Sequence, residues 1–329
     1  MLVSVCGQGK FLCGEVMKVS YIVTVYNKAL YLPFVIRGLA AQEGEFEREF
    51  IFVDDGSTDD SVKIVGELKE TLPGRVEIIE QDNSGPSVAT NKGFEISTGD
   101  IIKFVDGDDV LMPWTTKLLS DILREGGHAY VFGIDPIPID FDADVARKID
   151  HIVACARPQI EDLEPQVWRE PLEFVINRAH MNPTAWVATR DAVVKTGGCA
   201  DHIFIQDYIL ELCLAAQGSA GIWPGPVFVY PRSDPNRNTA NKAQILHDLN
   251  LALAEFFCRQ PEHLAEYGFR AAKRATGRAW KFAHRNRVPL SVRSKALSQY
   301  LGVRAGMVRP SIDLLEATGQ AFKQGFTIR

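Results

Sequence analysis

The chain has 329 residues, of which 46% are hydrophobic and 24% are charged, and this composition is ordinary for a soluble globular protein. The length allows one large domain or two smaller ones. No apolar run approaches the roughly 20 residues of a membrane-spanning helix, and the polar residues within 1–16 make a poor signal peptide. We therefore expect a cytoplasmic protein in which residues 1–16 are either a loosely attached leader or the product of a start site assigned too far upstream.

The six cysteines are spread along the chain without C-x-x-C spacing. This distribution argues against a zinc site and against a disulfide framework. It is typical of proteins that fold in a reducing compartment. We expect the thiols to be free and buried, as small apolar side chains usually are.

In the first third of the chain, short apolar runs alternate with segments of helical periodicity. The predicted strands cover residues 19–27, 49–57, 75–81 and 100–109. The predicted helices cover residues 29–41, 58–72 and 85–97. Strands that alternate with helices in this way predict an α/β fold with a mostly parallel sheet covered on both faces.

The rest of the chain changes character twice. Residues 134–200 are less regular and rich in proline, although 181–198 predict a strand and a short helix. A helix over 204–218, stopped by Gly218, precedes a strand and a Pro/Asn-rich loop over 221–239. Beyond Lys242 the pattern is helical. We therefore predict a domain over 17–240, with halves 17–133 and 134–240, and a helical region over 241–329.

Polar residues follow three of the predicted strands, at 24–27, 54–57 and 106–109. In parallel sheets ligands bind outside the carboxyl ends of the strands. These three loops should therefore lie together at one edge of the sheet, although more than eighty positions separate them.

The fourth strand, "DIIKFVDGDD", ends in three carboxylates, Asp106, Asp108 and Asp109. Like charges repel one another and resist burial, so a positive partner is expected there. Mg²⁺ and Mn²⁺ prefer hard oxygen ligands, and one or two carboxylates plus substrate phosphates often complete their shell. Asp106 and Asp108 thus predict a divalent metal clamped to a diphosphate. The alternative is a solvated turn that caps the helix after Pro113.

The segments "YIVTVYN", "FIFVDDGSTDDS", "NSGPSVATNKGFEISTGDIIKFVDGDDVLMP" and "IQDYILELCLAAQG" resemble glycosyltransferase family 2 in order and spacing, over roughly residues 19–230. The members of this family are inverting enzymes with a GT-A nucleotide-sugar-binding fold. The resemblance implies a nucleoside-diphosphate sugar donor, UDP-linked by expectation, and a glycan or lipid-linked acceptor in cell-surface glycan synthesis.

The resemblance also assigns roles to residues at the strand ends. Asp55 would accept the N3–H of uracil beside Asp54, while Thr24 and Tyr26 would complete the base pocket, with the Tyr26 ring stacked on the base. Asp106 would face the ribose and the metal, Asp108 would bind the metal, and Asp109 would support them. The alternative for Asp54 and Asp55 is a loop before a helix that is capped by Ser57 or Thr58.

Asp207 is the candidate general base, because an inverting transfer needs one carboxylate to take the proton from the acceptor hydroxyl. The family places this base at the start of a helix, usually after a glutamate. Here Gln206 precedes it, so we expect Asp207 to ionise more easily than it would beside a second acid. The alternative is an acid that only stabilises the positive end of the helix dipole.

Two departures from the family pattern concern the diphosphate and the acceptor. Many relatives have Arg-Asn where this chain has Thr90-Asn91, so Arg232 or Arg237 would have to supply a phosphate contact. The late loop also lacks a histidine that some relatives place near the metal. Trp186 could stack on an acceptor sugar, or it could be a core residue.

Three other functional classes account for less of the sequence. The stretch "IIKFVDGDDVL" also fits the opening motif of haloacid-dehalogenase-type phosphohydrolases, but that class leaves "TVYN" and "VDDGS" unexplained. A dinucleotide-binding oxidoreductase is disfavoured because no G-x-G-x-x-G follows the first strand. The third class is a non-catalytic protein that binds sugar nucleotides. The presence of Asp207 together with the other aspartates argues against it.

Residues 268–312 carry eleven of the 36 basic residues and no Asp or Glu. The rest of the chain therefore has 25 basic against 42 acidic residues. Arg270, Lys273, Arg274, Arg278, Lys281 and Arg285 would form one helical stripe, opposite Ala272, Ala275, Ala279 and Ala283. Either this stripe is a solvated helix face, or it binds the anionic inner surface of the membrane. Nucleic acid is not expected as a partner, because the acidic remainder would repel it.

Overall fold

The computed structural model describes residues 16–178, 182–233, 241–324 and 328. Its strands are β1 (Lys18–Val25), β2 (Glu47–Asp54), β3 (Arg75–Glu80), β4 (Ile101–Asp106), β5 (Val110–Leu111), β6 (Tyr130–Gly133), β7 (Ile137–Ile139), β8 (Gln166–Trp168), β9 (Trp186–Thr189), β10 (Ala220–Trp223) and β11 (Phe228–Pro231). Its α-helices are α1 (Leu32–Ala40), α2 (Ser61–Leu68), α3 (Pro86–Ile96), α4 (Thr115–Gly126), α5 (Val145–Ile160), α6 (Pro171–Asn177), α7 (Arg190–Thr196), α8 (Gln206–Ala215), α9 (Lys242–Arg259), α10 (Leu264–Arg285), α11 (Leu290–Arg304) and α12 (Ile312–Thr318).

The central sheet has the strand order β3-β2-β1-β4-β9-β6-β10-β8 in the described part of the chain. Strands β3, β2, β1 and β4 are parallel, as are β6 and β10, whereas β9 and β8 run antiparallel to their neighbours. A small second sheet has the order β5-β11-β7. The predicted α/β fold with a mostly parallel sheet is confirmed.

Both faces of the central sheet are buried, which explains the nearly continuous apolar runs of its strands. Because side chains alternate between the two faces, Ile22 and Val53 contribute to one core and Tyr21, Val23 and Phe52 to the other. Helices α3, α8 and α9 pack on the first face, and α1 and α4 pack on the second. Helices on both faces leave the carboxyl ends of the strands as the open edge.

The central part of the chain is more regular than its sequence predicts. Helix α5 continues through Pro158, and α6 and the short strands β7 and β8 also lie within 134–200. Helix α8 ends at Ala215, before the predicted stop at Gly218. The short strands were missed because three residues leave too little periodicity to recognise.

The cysteines are free, as expected, in the described part of the chain, but their burial was predicted only in part. Cys199 and Cys213 are buried, whereas Cys155 and Cys258 are exposed. Cys6 and Cys13 lie outside the described residues, as does the rest of the predicted leader up to residue 15.

The region after Lys242 is helical, as predicted, and α10 buries the expected alanines, Ala272, Ala275, Ala279 and Ala283. The basic stripe on α10 is only partly solvated, however. Arg270 pairs with Glu173 at 2.6 Å, and the half-buried Arg278 donates to the Leu249 carbonyl at 3.3 Å. In the ranges that the structure describes, no helix is both long enough and apolar enough to cross a membrane.

Candidate active site

The three predicted loops lie side by side at the open edge of the sheet. Strand β1 pairs in parallel with β2 and with β4, so Thr24 is in register with Asp106 and Val25 with Asp54. The Gly107 amide donates to the Thr24 carbonyl at 3.0 Å, and the Asp55 amide donates to the Val25 carbonyl at 2.8 Å. The structure therefore brings Thr24, Asp54, Asp55 and Asp106 together.

Asp55 is buried and holds the loop that follows β3. Its Oδ1 accepts hydrogen bonds from Gln81 Nε2 and the Ser84 amide, both at 2.8 Å, and its Oδ2 accepts one from the Gly85 amide at 2.9 Å. A carboxylate offers about four acceptor positions. One position on Oδ2 is therefore left for a base N–H, and its predicted contact with uracil stays a prediction.

The neighbouring Asp54 is buried as well. Its Oδ2 accepts from the Ser57 amide at 2.8 Å, while its Oδ1 has no hydrogen-bond partner. A buried acceptor without a partner is costly, so such atoms often mark functional positions. Tyr26, at the end of β1, is 37% exposed and leaves its ring accessible at this edge.

Ser57 and Thr58 do not cap the following helix, so the capping alternative is wrong. Helix α2 begins at Ser61, after Asp60, and has no side-chain capping bond. Ser57 Oγ instead accepts from the Asn27 amide at 2.9 Å, and the Thr58 amide donates to Asn27 Oδ1 at 2.8 Å. Asn27 adopts a φ of 53°, a left-handed conformation that asparagine tolerates. These bonds fix the β1 loop against the β2 loop.

Asp108 has a protein cation as its partner. Lys28 Nζ lies 2.5 Å from Asp108 Oδ2, and both side chains are mostly buried. The sequence predicts a positive charge at this place, but as a metal ion and not as a lysine. Lys28 directly follows the predicted loop 24–27, and that position is the one signal that could have identified it.

Asp109 is buried beneath these groups. Burial raises its pKa well above the ordinary range, and the nearby charges of Asp108 and Asp106 add to the shift. Asn182 Nδ2 donates to its Oδ2 at 2.7 Å. The buried Lys103 on β4 donates to the Trp186 carbonyl at 3.1 Å and to the Thr184 carbonyl. Burial lowers the Lys103 pKa to about 7, although the Asp109 charge opposes this shift.

The residues at the end of β4 fit a divalent cation. Asp106 and Asp108 are half-buried carboxylates two positions apart, which is the number of protein ligands expected when a diphosphate supplies the others. In the described ranges no group of three or more His, Cys, Asp or Glu side chains is arranged to hold a metal by itself. Nor do these aspartates cap the next helix, because α4 begins at Thr115 after Trp114 without a side-chain capping bond.

Asp207 lies in the first turn of α8, as predicted. Its Oδ1 is buried without a hydrogen-bond partner, and burial raises its pKa to about 7. Desolvation therefore dominates the pKa of Asp207, and the comparison with a second acid at position 206 did not include this effect. No hydrogen bond or ion pair joins Asp207 to the strand-end residues in the described part of the chain. The two regions are joined through Ser87 on α3, whose Oγ donates to the Ile203 carbonyl in the loop before α8.

The structure also bears on the predictions for Trp186 and for the two arginines, Arg232 and Arg237. Trp186 is fully buried and packs edge-on against Phe104, with ring centroids 5.3 Å apart, so it is a core residue and not a platform for an acceptor sugar. Arg232 pairs with Asp140 at 3.4 Å on the surface. Arg237 lies outside the described residues.

A mostly parallel sheet with carboxylates at its open edge is the architecture of GT-A glycosyltransferases. A family model described as glycosyl transferase family 2 matches residues 20–184, which is half of the chain. The chain belongs to glycosyl transferase family 2. This membership overturns the alternatives of a phosphohydrolase and of an oxidoreductase.

Curated relatives match shorter segments. An uncharacterized glycosyltransferase of Nostoc sp. is 37% identical over 108 residues, which are 33% of this chain and 33% of that protein. The poly(ribitol-phosphate) beta-N-acetylglucosaminyltransferase TarS of Staphylococcus aureus is 34% identical over 110 residues, which are 33% of this chain and 19% of TarS. The chain thus spans about a third or less of these relatives.

Solved structures match nearly the whole chain in fold. S. aureus TarS 1–349 in complex with UDP-GlcNAc has a TM-score of 0.56 at 16% identity, covering 95% of this chain and 93% of that one. The mannosyltransferase PcManGT from Pyrobaculum calidifontis in complex with GDP-Man and Mn²⁺ has a TM-score of 0.53 at 18% identity, covering 93% and 87%. At these identities the likeness concerns the fold alone.

Proposed function

We propose that this glycosyltransferase is a metal-dependent, inverting enzyme that moves a sugar from a UDP-linked donor to a hydroxyl acceptor in cell-surface glycan synthesis. The observation that carries the proposal is Asp207, a half-buried residue whose buried Oδ1 has no partner and whose pKa is raised by desolvation to about 7. A general base works best when its pKa lies near the working pH. The UDP-GlcNAc bound to TarS and the naming of TarS as a poly(ribitol-phosphate) transferase support the donor and the acceptor class.

We assign the nucleotide to the open edge of the sheet. The exposed Tyr26 ring supplies a flat apolar face for the base, and the remaining acceptor position of Asp55 faces its N–H. Thr24 and Asp54 line the same pocket, and Asp106 reaches the ribose. The bonds from Asn27 to Ser57 and Thr58 hold this pocket in shape before a nucleotide arrives, which lowers the ordering cost of binding.

Asp106 and Asp108 would hold Mn²⁺ or Mg²⁺ together with the diphosphate. When bound, such an ion stabilises the negative charge on a departing diphosphate as a Lewis acid. Lys28 must then share or leave Asp108 Oδ2, where it now lies at 2.5 Å. A lysine released beside the diphosphate can contribute a second positive charge. Burial raises the pKa of Asp109 well above its ordinary range, which favours its neutral form and weakens the repulsion among the carboxylates.

Asp207 would act on the acceptor. Its carboxylate takes the proton from the acceptor hydroxyl while that oxygen forms its bond to the anomeric carbon, and the bond between this carbon and the diphosphate oxygen breaks. Attack from the side opposite the leaving group inverts the configuration. General-base assistance of this kind contributes about 10²–10⁴ in rate.

A panel of nucleotide sugars tests the proposal. We expect UDP-linked sugars to raise the unfolding temperature of the wild-type chain in the presence of Mn²⁺, because a ligand that binds only the native state stabilises it. Asp108→Ala should lose the Mn²⁺-dependent part of this stabilisation. Asp162→Ala is the matched control, since Asp162 is an exposed acid far along the sequence. Equal stabilisation of all three proteins with and without Mn²⁺ would contradict the metal clamp.

A further inference from the structure

Helix α11 has two apolar faces, of which one is left open. Ala296 and Val303 are buried on the face toward α10. On a helix with about 100° per residue, Leu290, Leu297 and Leu301 fall within about 40° of one another on another face. Leu290 is 71% exposed and Leu301 is 52% exposed. Large apolar side chains aligned in this way at the surface usually mark a contact with a partner.

The chain after α11 extends this apolar face. The amides of Met307 and Val308 donate to the Gly302 carbonyl at 2.8 and 3.0 Å, so the chain turns back along the helix. Met307 is 76% exposed, and together with Leu297, Leu301 and Val308 it lines one open groove. We call Leu290, Leu297, Leu301 and Met307 the α11 ridge.

Uncompensated positive charge surrounds the α11 ridge. Arg293 and Arg304 fall along one side of it on the helix, and residues 268–312 contain no acid. In the described part of the chain, Arg270 is the one basic residue of this segment that pairs with a carboxylate. Arg304 donates to the Tyr300 hydroxyl at 2.6 Å and lies over the same ring. The surface therefore offers protruding apolar side chains flanked by arginines that pair with no carboxylate among the described residues.

We propose that the α11 ridge and its flanking arginines dock on an anionic phospholipid bilayer. Leucine and methionine side chains that protrude beside cations suit the boundary between head groups and acyl chains. The arginines would then lie at the level of the lipid phosphates. Charge complementarity favours an anionic bilayer as the partner, because a segment with eleven cations and no acid attracts a negatively charged surface. The inference does not depend on the proposed transfer chemistry.

The test is sedimentation of the full chain with vesicles of phosphatidylcholine alone or mixed with phosphatidylglycerol. We expect binding to the anionic vesicles only, and weaker binding as salt is added, since salt screens the attraction. Leu290→Ser/Leu301→Ser/Met307→Ser should weaken binding by roughly tenfold or more, and Arg293→Gln/Arg304→Gln by roughly tenfold.

Matched controls separate this surface from general effects. Val194→Ser changes an apolar side chain that is 59% exposed on α7, and Lys69→Gln/Lys195→Gln removes two exposed cations elsewhere; both should bind like wild type. Binding to neither vesicle, or unchanged binding of the ridge variant, would overturn the proposal. Self-association that is lost in the ridge variant, without vesicle binding, would overturn it too and assign the ridge to a second copy of the chain.

Discussion

Asp207 combines two properties that are costly to keep in a folded protein. Its Oδ1 is buried without a partner, and burial raises its pKa to about 7. A carboxylate that served only the helix dipole would be expected at the surface, ionised and solvated. A carboxyl group with a buried oxygen and a pKa near neutrality is instead suited to exchange a proton with a bound hydroxyl.

Replacing Asp207 with asparagine should separate chemistry from binding. We expect Asp207→Asn to lower sugar transfer by about 10²–10⁴, with UDP affinity almost unchanged. Wild-type activity should rise as the pH increases through about 7, because the base must be ionised. Asp191→Asn, which removes an exposed acid from the first turn of α7, should leave both transfer and its pH profile unchanged. Near-normal turnover of Asp207→Asn would remove Asp207 from the mechanism.

The same variant has a stability readout that needs no acceptor. Since the folded-state pKa of Asp207 lies above its value in the unfolded chain, ionisation destabilises the fold as the pH rises from about 4 to about 7. Asp207→Asn should therefore be more stable than wild type above pH 7, by on the order of 4 kcal/mol, and the difference should shrink in acid. Urea unfolding across this range measures it, and a destabilised variant at all pH values would contradict the assigned pKa.

The carboxylates of the site could be predicted from sequence, but their cationic partners could not. Asp106 and Asp108 follow an apolar strand, and this position already indicates the open edge of a parallel sheet. Lys28 reaches Asp108 across 80 positions of the chain, and Lys103 has the position of an ordinary strand residue. Contacts of this kind depend on how β1 and β4 pair, which no local pattern encodes.

At the scale of elements, the start of α8 is held from two sides. Asn91 on α3 donates to the Cys199 carbonyl at 3.0 Å and accepts from the Cys199 amide at 2.8 Å. On the other side, Asp248 of α9 accepts from the Phe204 amide at 3.0 Å. Gln244 Nε2 and His247 Nδ1 lie 2.8 and 2.9 Å from Asp248 Oδ1. These contacts fix the loop that leads into Asp207.

Asp248 should therefore be a positioning residue for the candidate base. Asp248→Ala is expected to lower kcat by about tenfold with little change in donor KM, because misplacing a reacting group slows the chemical step. Asn250→Ala is the matched control. Asn250 is also buried on α9, but it bonds to the Ala275 carbonyl and to Thr318 and not to the α8 loop.

Both variants should lose about 1–3 kcal/mol of stability, since each leaves buried polar groups without partners. Only Asp248→Ala should lower the kcat of the folded protein, and Asp248→Asn should restore part of it. Equal kcat values for Asp248→Ala and Asn250→Ala, measured well below their unfolding temperatures, would reduce Asp248 to a purely structural role.

At the scale of the whole molecule, the sequence predicts the sheet well and the connections poorly. Strands β1, β2 and β4 are apolar on both faces, and this pattern extends over enough residues to be recognised. Helix α5 contains Pro158, which argues against a helix in any local reading. The exposed face of α11 was also missed, because the mixture of two apolar faces obscures its helical periodicity.

At the end of the sheet opposite the candidate site, one buried acid, Glu49, holds the strands together. Glu49 at the start of β2 pairs with Lys18 at 2.8 Å, and it accepts from Thr98 Oγ1 at 2.9 Å, from the Gly99 amide at 3.2 Å and from Ser20. It thereby ties β1 and β2 to the turn before β4. Burial opposes its ionisation, but the bonds from Lys18, Ser20 and Thr98 outweigh this and lower the Glu49 pKa to about 2.

Glu49 should therefore stabilise the fold in a pH-dependent way. A lowered folded-state pKa gives stability that is complete above the unfolded value of about 4.5 and is lost as the pH falls toward about 2. Glu49→Gln should cost about 2–3 kcal/mol at neutral pH in urea unfolding, and the difference from wild type should narrow in acid. Glu77→Gln breaks an exposed pair with Arg75 and should cost less than about 1 kcal/mol at any pH. A difference between Glu49→Gln and wild type that stays constant from neutral pH into acid would show that Glu49 acts through packing and not through its charge.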